Sequence, residues 1–238
     1  RLRETYTEPQ TPAPGVVVTE IRMTSLLLLG ATGLVGGHVL ELALKDDRVT
    51  RVVAPTRRPL PPTALPAHPK LENPITDLSS GLPEADWWTV DAVISALGTT
   101  RAKAGSDEAF RLVDYATPLG AARRAHERGA TRFSLVSSTG ANSKSSLLYL
   151  RTKGELEAAI RAIGFSTLTI VRPGLLGGDR SEFRLGERLA SMALKIAHPI
   201  LPRRLRISPA HVVAKVLLDA AIGGEKGERI VEADQLSG

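Results

Sequence analysis

The sequence predicts an α/β fold, a doubly wound parallel sheet carrying helices on both faces. Three observations predict it. A run of four leucines, 26–29, leads directly into glycines spaced Gly30-x-x-Gly33-x-x-Gly36. From there on, short apolar runs alternate with longer stretches of helical periodicity, as a parallel sheet requires. The two longest of those stretches are closed by Gly129 and Gly164, the residue that ends helices most readily.

The elements follow in order. Residues 26–29 read as the first strand and 34–44 as a helix. A second strand covers 51–54, followed by a loop bearing Pro55, Pro59, Pro61, Pro62, Pro66 and Pro69. A short third strand is expected at 71–75 and a fourth at 91–96. A long helix is expected over 107–128, a fifth strand over 132–136, a helix over 147–163 and a sixth strand over 167–171. Ser208 and Pro209 suit the N-cap and first turn of a last helix. Residues 1–22 are polar and proline-bearing and read as a flexible leader or an added extension. Residues 23–238 are expected to form one domain, with a small substrate-covering region at about 177–238.

Composition sets limits. The chain has 238 residues and 42% hydrophobic side chains, enough for a sizeable core. It has no cysteine, so disulfides and thiolate metal sites are excluded, and a cytoplasmic location is the expectation. The net charge is +6 and the pI about 9.9. The basic residues form no long run, and aromatic residues make up 4%, too few for a nucleic-acid stacking platform. No nucleic-acid partner is expected. The leucine run stops at Gly30 and is soon followed by charge, whereas a membrane span needs about 20 apolar residues. Nor does it have the basic flank and cleavage site of a signal peptide. His38, His68, His126, His198 and His211 show no close pair at metal spacing, and no metal site is expected.

A strand feeding Gly-x-x-Gly-x-x-Gly into a helix is a dinucleotide-binding turn, and the expected sheet is then of the Rossmann type. Gly30 permits the sharp turn, Gly33 the close approach of a pyrophosphate, and Gly36 the close packing of helix and sheet. Thr32, Leu34 and Val35 complete the turn, where unpaired N–H groups at the helix start attract phosphate oxygens. An NAD site usually has Asp or Glu at the end of the second strand. Here that place reads Ala54-Pro55-Thr56-Arg57-Arg58. Arg57 and Arg58 suit a 2′-phosphate, so NADP(H) is the expected cofactor. Asp77 suits either the adenine amine or a loop cap.

Tyr149 and Lys153 stand four apart on one helix face. Ser137, Ser138 and Thr139 follow the fifth strand, at the sheet edge where ligands bind. A phenol can pass a proton to a carbonyl oxygen while a nearby ammonium favours the phenolate left behind. Tyr149 and Lys153 are also expected to contact the cofactor, Lys153 through the ribose hydroxyls. A serine hydroxyl can orient the same carbonyl. Ser137 and Ser138 are the candidates for that hydroxyl, with Thr139 in reserve.

Several strings carry a family resemblance: GATGLVG at 30–36, SALGTTRAKAG at 95–105, FRLVDY at 110–115, VSSTGANSKSSLLYLRTKGELE at 136–157 and VRPGLLGGDR at 171–180. Over roughly 23–224 the chain resembles the atypical short-chain dehydrogenase/reductases. More narrowly, it resembles the HIV Tat-interacting protein 2 (oxidoreductase) family and its bacterial relatives. The resemblance implies NADPH binding and a Ser-Tyr-Lys site. It implies that Leu97, Gly98, Thr99 and Thr100 run along the ribose and nicotinamide, and that Pro173, Gly174, Leu175 and Leu176 approach the carboxamide.

The expected activity is hydride transfer to or from a small carbonyl or alcohol, in a monomer or homodimer with no membrane partner. The alternative is a catalytically silent NADPH-binding regulator acting through a protein partner. Epimerase or dehydratase chemistry on a sugar nucleotide is a weaker reading, because little chain follows the sixth strand. Trp87 and Trp88 are expected to pack on the third and fourth strands or cap a helix. The basic cluster Arg203, Arg204 and Arg206, after a helix with apolar positions at Leu189, Met192, Ala193 and Ile196, suits a solvated loop or a wall for an acidic substrate.

Overall fold

The computed structural model describes residues 23–61, 68–177 and 207–236. The expected leader at 1–22, the 189–196 helix and the basic cluster at 203–206 lie outside the described residues.

A seven-stranded sheet, every neighbouring pair parallel, forms the centre. Its strands are β1 (Thr24–Leu29), β2 (Val49–Val53), β3 (Leu71–Glu72), β4 (Ala92–Ser95), β5 (Arg132–Val136), β6 (Thr167–Arg172) and β9 (Gly227–Glu232), in the order β3-β2-β1-β4-β5-β6-β9. A small parallel ribbon pairs β7 (Leu175–Gly177) with β8 (Ile207–Pro209). The order reverses between β1 and β4, which opens a crevice beyond the carboxyl ends of those strands.

The leucine run is a strand buried on both faces, the usual state in parallel sheets. Leu26 and Leu28 join one apolar cluster with α1 (Leu34–Lys45) and α6 (Ala210–Gly223). Leu27 and Leu29 join the opposite cluster with α4 (Thr117–Glu127) and α5 (Leu148–Arg161). Trp87 and Trp88 lie in a short turn at Asp86–Trp88 and pack into that second cluster beside Val53 and Val93. Among the described residues, no helix is long and apolar enough to cross a membrane.

Three expectations are corrected. The third strand is cut to two residues plus a single bridge from Ile75 to Thr56, because Pro74 interposes a residue with no N–H to donate. The expected helix over 107–128 is α3 (Asp107–Arg111), a wide π-type turn at Leu112–Ala116 and α4, preceded by the short α2 (Arg101–Ala104). Ser208 does not cap α6. Pro209 holds the cap position, and the Ser208 hydroxyl accepts the N–H of Gly174 at 3.1 Å instead. The seventh strand, β9, has no counterpart in the sequence reading.

Candidate functional site

At the crevice lies a cleft of about 580 Å³, lined by the loops after β1, β4, β5 and β6 and by the first turns of α5. Its first wall is the turn after β1. Gly30 has φ +86°, and a Cβ on Gly36 would stand 2.0 Å from the Gly30 carbonyl oxygen. Gly36 therefore seats α1 on the turn itself, and both glycines sit behind the lining rather than in it. Thr32, Gly33, Leu34 and Val35 face the cleft. Gly33 occupies the cap position of α1 with no side-chain hydrogen bond, and no acid stands in the first turn. The leading N–H groups are thus open to an anion.

The second wall is the loop Ala96, Leu97, Gly98, Thr99 and Thr100, with Lys103 of α2. The third comes from Val136, Ser137 and Ser138 after β5, and from Pro173, Gly174 and Leu176 after β6. Tyr149 and Lys153 of α5 close it. Tyr149 is 42% exposed, with its ring 6.1 Å from that of Phe110. Gly154 lets α5 pack on the loop at Asn142 and Ser143: a Cβ there would lie 2.3 Å from the Ser143 backbone nitrogen.

The hydroxyls after β5 separate. Ser137 donates to Glu157 Oε1 at 2.5 Å, which commits its proton to a buried carboxylate. Thr139 donates to the Arg172 carbonyl at 3.1 Å and does not line the cleft. Among the described residues, Ser138 makes a single 3.3 Å contact, with the adjacent Thr139 carbonyl. Ser137 and Ser138 both line the cleft, and among the described residues the Ser138 hydroxyl is the one not committed to a carboxylate or to a carbonyl of another strand.

Glu157 is the centre of a structural cluster. Arg172 grips it with two nitrogens, at 2.9 and 2.6 Å, and reaches Glu232 at 2.9 Å. Those bonds, led by the one to Glu157, raise the Arg172 guanidinium above its ordinary value.

The remaining expected residues fall outside the lining. Arg57 and Arg58 are exposed beyond β2 and outside the lining, and the charge of Arg57 is felt at Asp77. Thr56 holds that bend by donating to the Arg58 carbonyl at 2.6 Å, while Asn73 donates to Ala54 and Thr56. Asp77 caps its own loop, accepting from the Ser79 hydroxyl at 2.6 Å and its N–H at 3.0 Å. Those bonds, the hydroxyl first, hold its carboxyl below the ordinary range. Leu175 is 56% exposed on β7. Strand alternation turns its neighbour Leu176 inward instead.

Asp114, Lys103, Ala96 and Val136 line the cleft without having been singled out for it in the sequence. Asp114 left a readable signal. It stands four residues after Phe110, on the apolar face of its helix, where a carboxylate requires a partner. That partner is Lys153, at 2.8 Å. Packing also brings His38 and His211 together, with ring centroids 6.4 Å apart. Among the described residues, no group of three or more metal-ligating side chains assembles.

The residues present fit a dinucleotide: an uncapped helix start, a glycine turn that side chains would fill, and a cleft within the usual range for ligand sites. Residues 30–219 match the profile of a family described as NAD(P)H-binding. The chain belongs to that NAD(P)H-binding family. Relatives include the protein fmp52, mitochondrial, of Aspergillus niger, 36% identical over 219 residues, covering 87% of this chain and 90% of the relative. The FMP52 protein, mitochondrial, of Candida albicans is 38% identical over 217 residues, covering 86% and 90%. Among solved structures, MoeE5 in complex with UDP-glucose and NAD is similar with a TM-score of 0.65 at 18% identity, covering 89% of this chain and 79% of that one. That likeness shows a shared fold.

The relatives' names overturn the expected cytoplasmic location, since they are mitochondrial proteins by name. The expectation rested on the absence of cysteine, which separates reducing from oxidising surroundings and cannot tell one reducing compartment from another.

Proposed function

We propose that the protein is an NADPH-dependent oxidoreductase, moving a hydride to or from a small carbonyl or alcohol with Tyr149 as acid and base. The observation that carries this reading is the shared cleft. An uncapped helix N-terminus stands at one end of it, and Ser138, Tyr149 and Lys153 stand together in its lining.

In this reading the N–H groups of Leu34 and Val35 hold the pyrophosphate. Leu97, Gly98, Thr99 and Thr100 run beside the ribose, and Pro173 and Leu176 bound the carboxamide end. Arg57 and Arg58 meet the 2′-phosphate where the chain leaves the cleft, and no carboxylate at the end of β2 repels it. When bound, the nicotinamide supplies or accepts the hydride. Ser138 Oγ–H donates to the substrate oxygen and fixes its direction. Tyr149 gives its phenolic proton to that oxygen as the carbon–hydrogen bond forms, and takes it back from the alcohol in reverse. Lys153, one helical turn on, stabilises the phenolate by its charge and holds the hydroxyls of the nicotinamide ribose.

Kinship with the Tat-interacting protein 2 family is part of the same reading. It is carried by the LGTTR-KAG string at 97–105 and by the SS-x-GA and YL-x-x-KGE-x-E strings within 137–157.

The test is NADPH consumption against a panel of small aldehydes and ketones, with wild type and Tyr149→Phe side by side. The reading predicts turnover by the wild type and a fall of roughly a hundredfold or more in the variant. NADPH binding without turnover of any substrate would favour the silent regulator.

A further inference from the structure

The floor of the cleft holds an ion pair closed off from solvent. The Asp114 side chain has 0% exposure and that of Lys153 4%, with Nζ 2.8 Å from Oδ1. The other oxygen, Oδ2, accepts the N–H of Thr99 at 2.8 Å. One carboxylate therefore ties the loop after β4 to the second turn of α5, two of the walls described above.

The backbone is built around this contact. Asp114 lies in the π-type turn at Leu112–Ala116, a widening that often marks functional sites. The Thr117 hydroxyl donates to the Leu112 carbonyl at 2.8 Å, which satisfies one acceptor of the turn. Arg111 holds the same segment to α5 through Glu155 at 2.7 Å. Gly98 passes directly over the pair: a Cβ there would lie 3.7 Å from Asp114 Oδ1 and 3.9 Å from Lys153 Nζ.

Burying two charges is a poor way to gain stability, since apolar side chains of equal volume do as well or better. The pair is better explained by what it fixes. A free lysine has four rotatable carbons to order when a ligand arrives, and an anchored one has its direction set beforehand.

We propose that Asp114 is a positioning residue that fixes the Lys153 ammonium for nucleotide binding, acting on the nucleotide through Lys153. The proposal rests on the reading of the cleft as an NADPH site. Asp114→Asn is the informative variant. Its amide oxygen keeps the Thr99 N–H, but its NH₂ cannot pair with an ammonium.

The experiment is a double-mutant cycle with Lys153→Met, reading NADPH affinity by calorimetry and stability by denaturant unfolding. Asp114→Asn should weaken NADPH binding roughly tenfold in the wild-type background and leave it unchanged in the Lys153→Met background. Lys153→Met strands a buried carboxylate, so adding Asp114→Asn to it should raise stability. A purely structural Asp114 would lower stability in both backgrounds. Equal weakening in both backgrounds, or unchanged binding by Asp114→Asn alone, overturns the proposal. A wild type that binds neither NADPH nor NADH overturns the underlying reading, and this proposal with it.

Discussion

Helix α5 carries two buried ionic assemblies one turn apart, and they differ in how completely their charges are satisfied. At Glu157 the carboxylate is held by Ser137, by two nitrogens of Arg172 and by Arg161 at 3.5 Å, while Arg172 continues to Glu232. This cluster joins β5, α5, β6 and β9 and leaves little for a ligand to do. At Lys153 the ammonium has one carboxylate beside it among the described residues, and it faces the cleft. The difference separates a fastening from a site. Polar groups with every partner in place rigidify, and groups with capacity left over are free to bind.

The largest effect that would sharpen this contrast falls on the fastening. Glu157→Ala should lower unfolding free energy by roughly 3 kcal/mol, because it leaves Arg172 with one carboxylate in a largely buried place. Denaturant unfolding reads it, and NADPH affinity of the folded fraction should stay near wild type. On the cleft side, Tyr149→Phe should do the opposite. Turnover falls roughly a hundredfold or more, while stability changes by less than about 0.5 kcal/mol at so exposed a side chain. If the two variants exchanged these signatures, the contrast would fail.

The adjacent serines divide the same boundary more finely. Ser138→Ala should lower turnover roughly tenfold with stability unchanged. Ser137→Ala should cost about 2 kcal/mol, the worth of a hydrogen bond to a buried carboxylate, with turnover near wild type. Asp77 gives the smallest effect. Its carboxyl is held below the ordinary range in the folded chain by Ser79. It therefore adds stability above that range and loses it as pH falls through the depressed value. Asp77→Asn should cost less than about 0.5 kcal/mol near neutrality, with the difference from wild type vanishing in acid and nucleotide affinity unaltered.

Sequence reading reached the parts of this molecule that local pattern dictates. Leu26–Leu29 followed by Gly30, Gly33 and Gly36 specify a strand, a turn and a helix start within a dozen residues, and all three are found where expected. Tyr149 and Lys153 share the cleft because four residues on a helix make one face. What escaped depends on tertiary neighbours. Strand β9 is exposed along its first four residues, so its pattern lacks the apolar run that reveals a central strand. Ser137 and Ser138 are alike in sequence, and only the arrival of Glu157 from α5 separates them. Asp114 showed that it needed a partner, but not which one.

The central claim is that the cleft is a nicotinamide nucleotide site that prefers NADPH, and calorimetric titration of the protein with NADPH and with NADH tests it most directly. The account predicts NADPH binding at least about tenfold tighter than NADH, with the preference lost in the Arg57→Ala/Arg58→Ala double variant. Equal affinity for the two nucleotides would contradict the role given to the arginines. Binding of neither would contradict the claim itself.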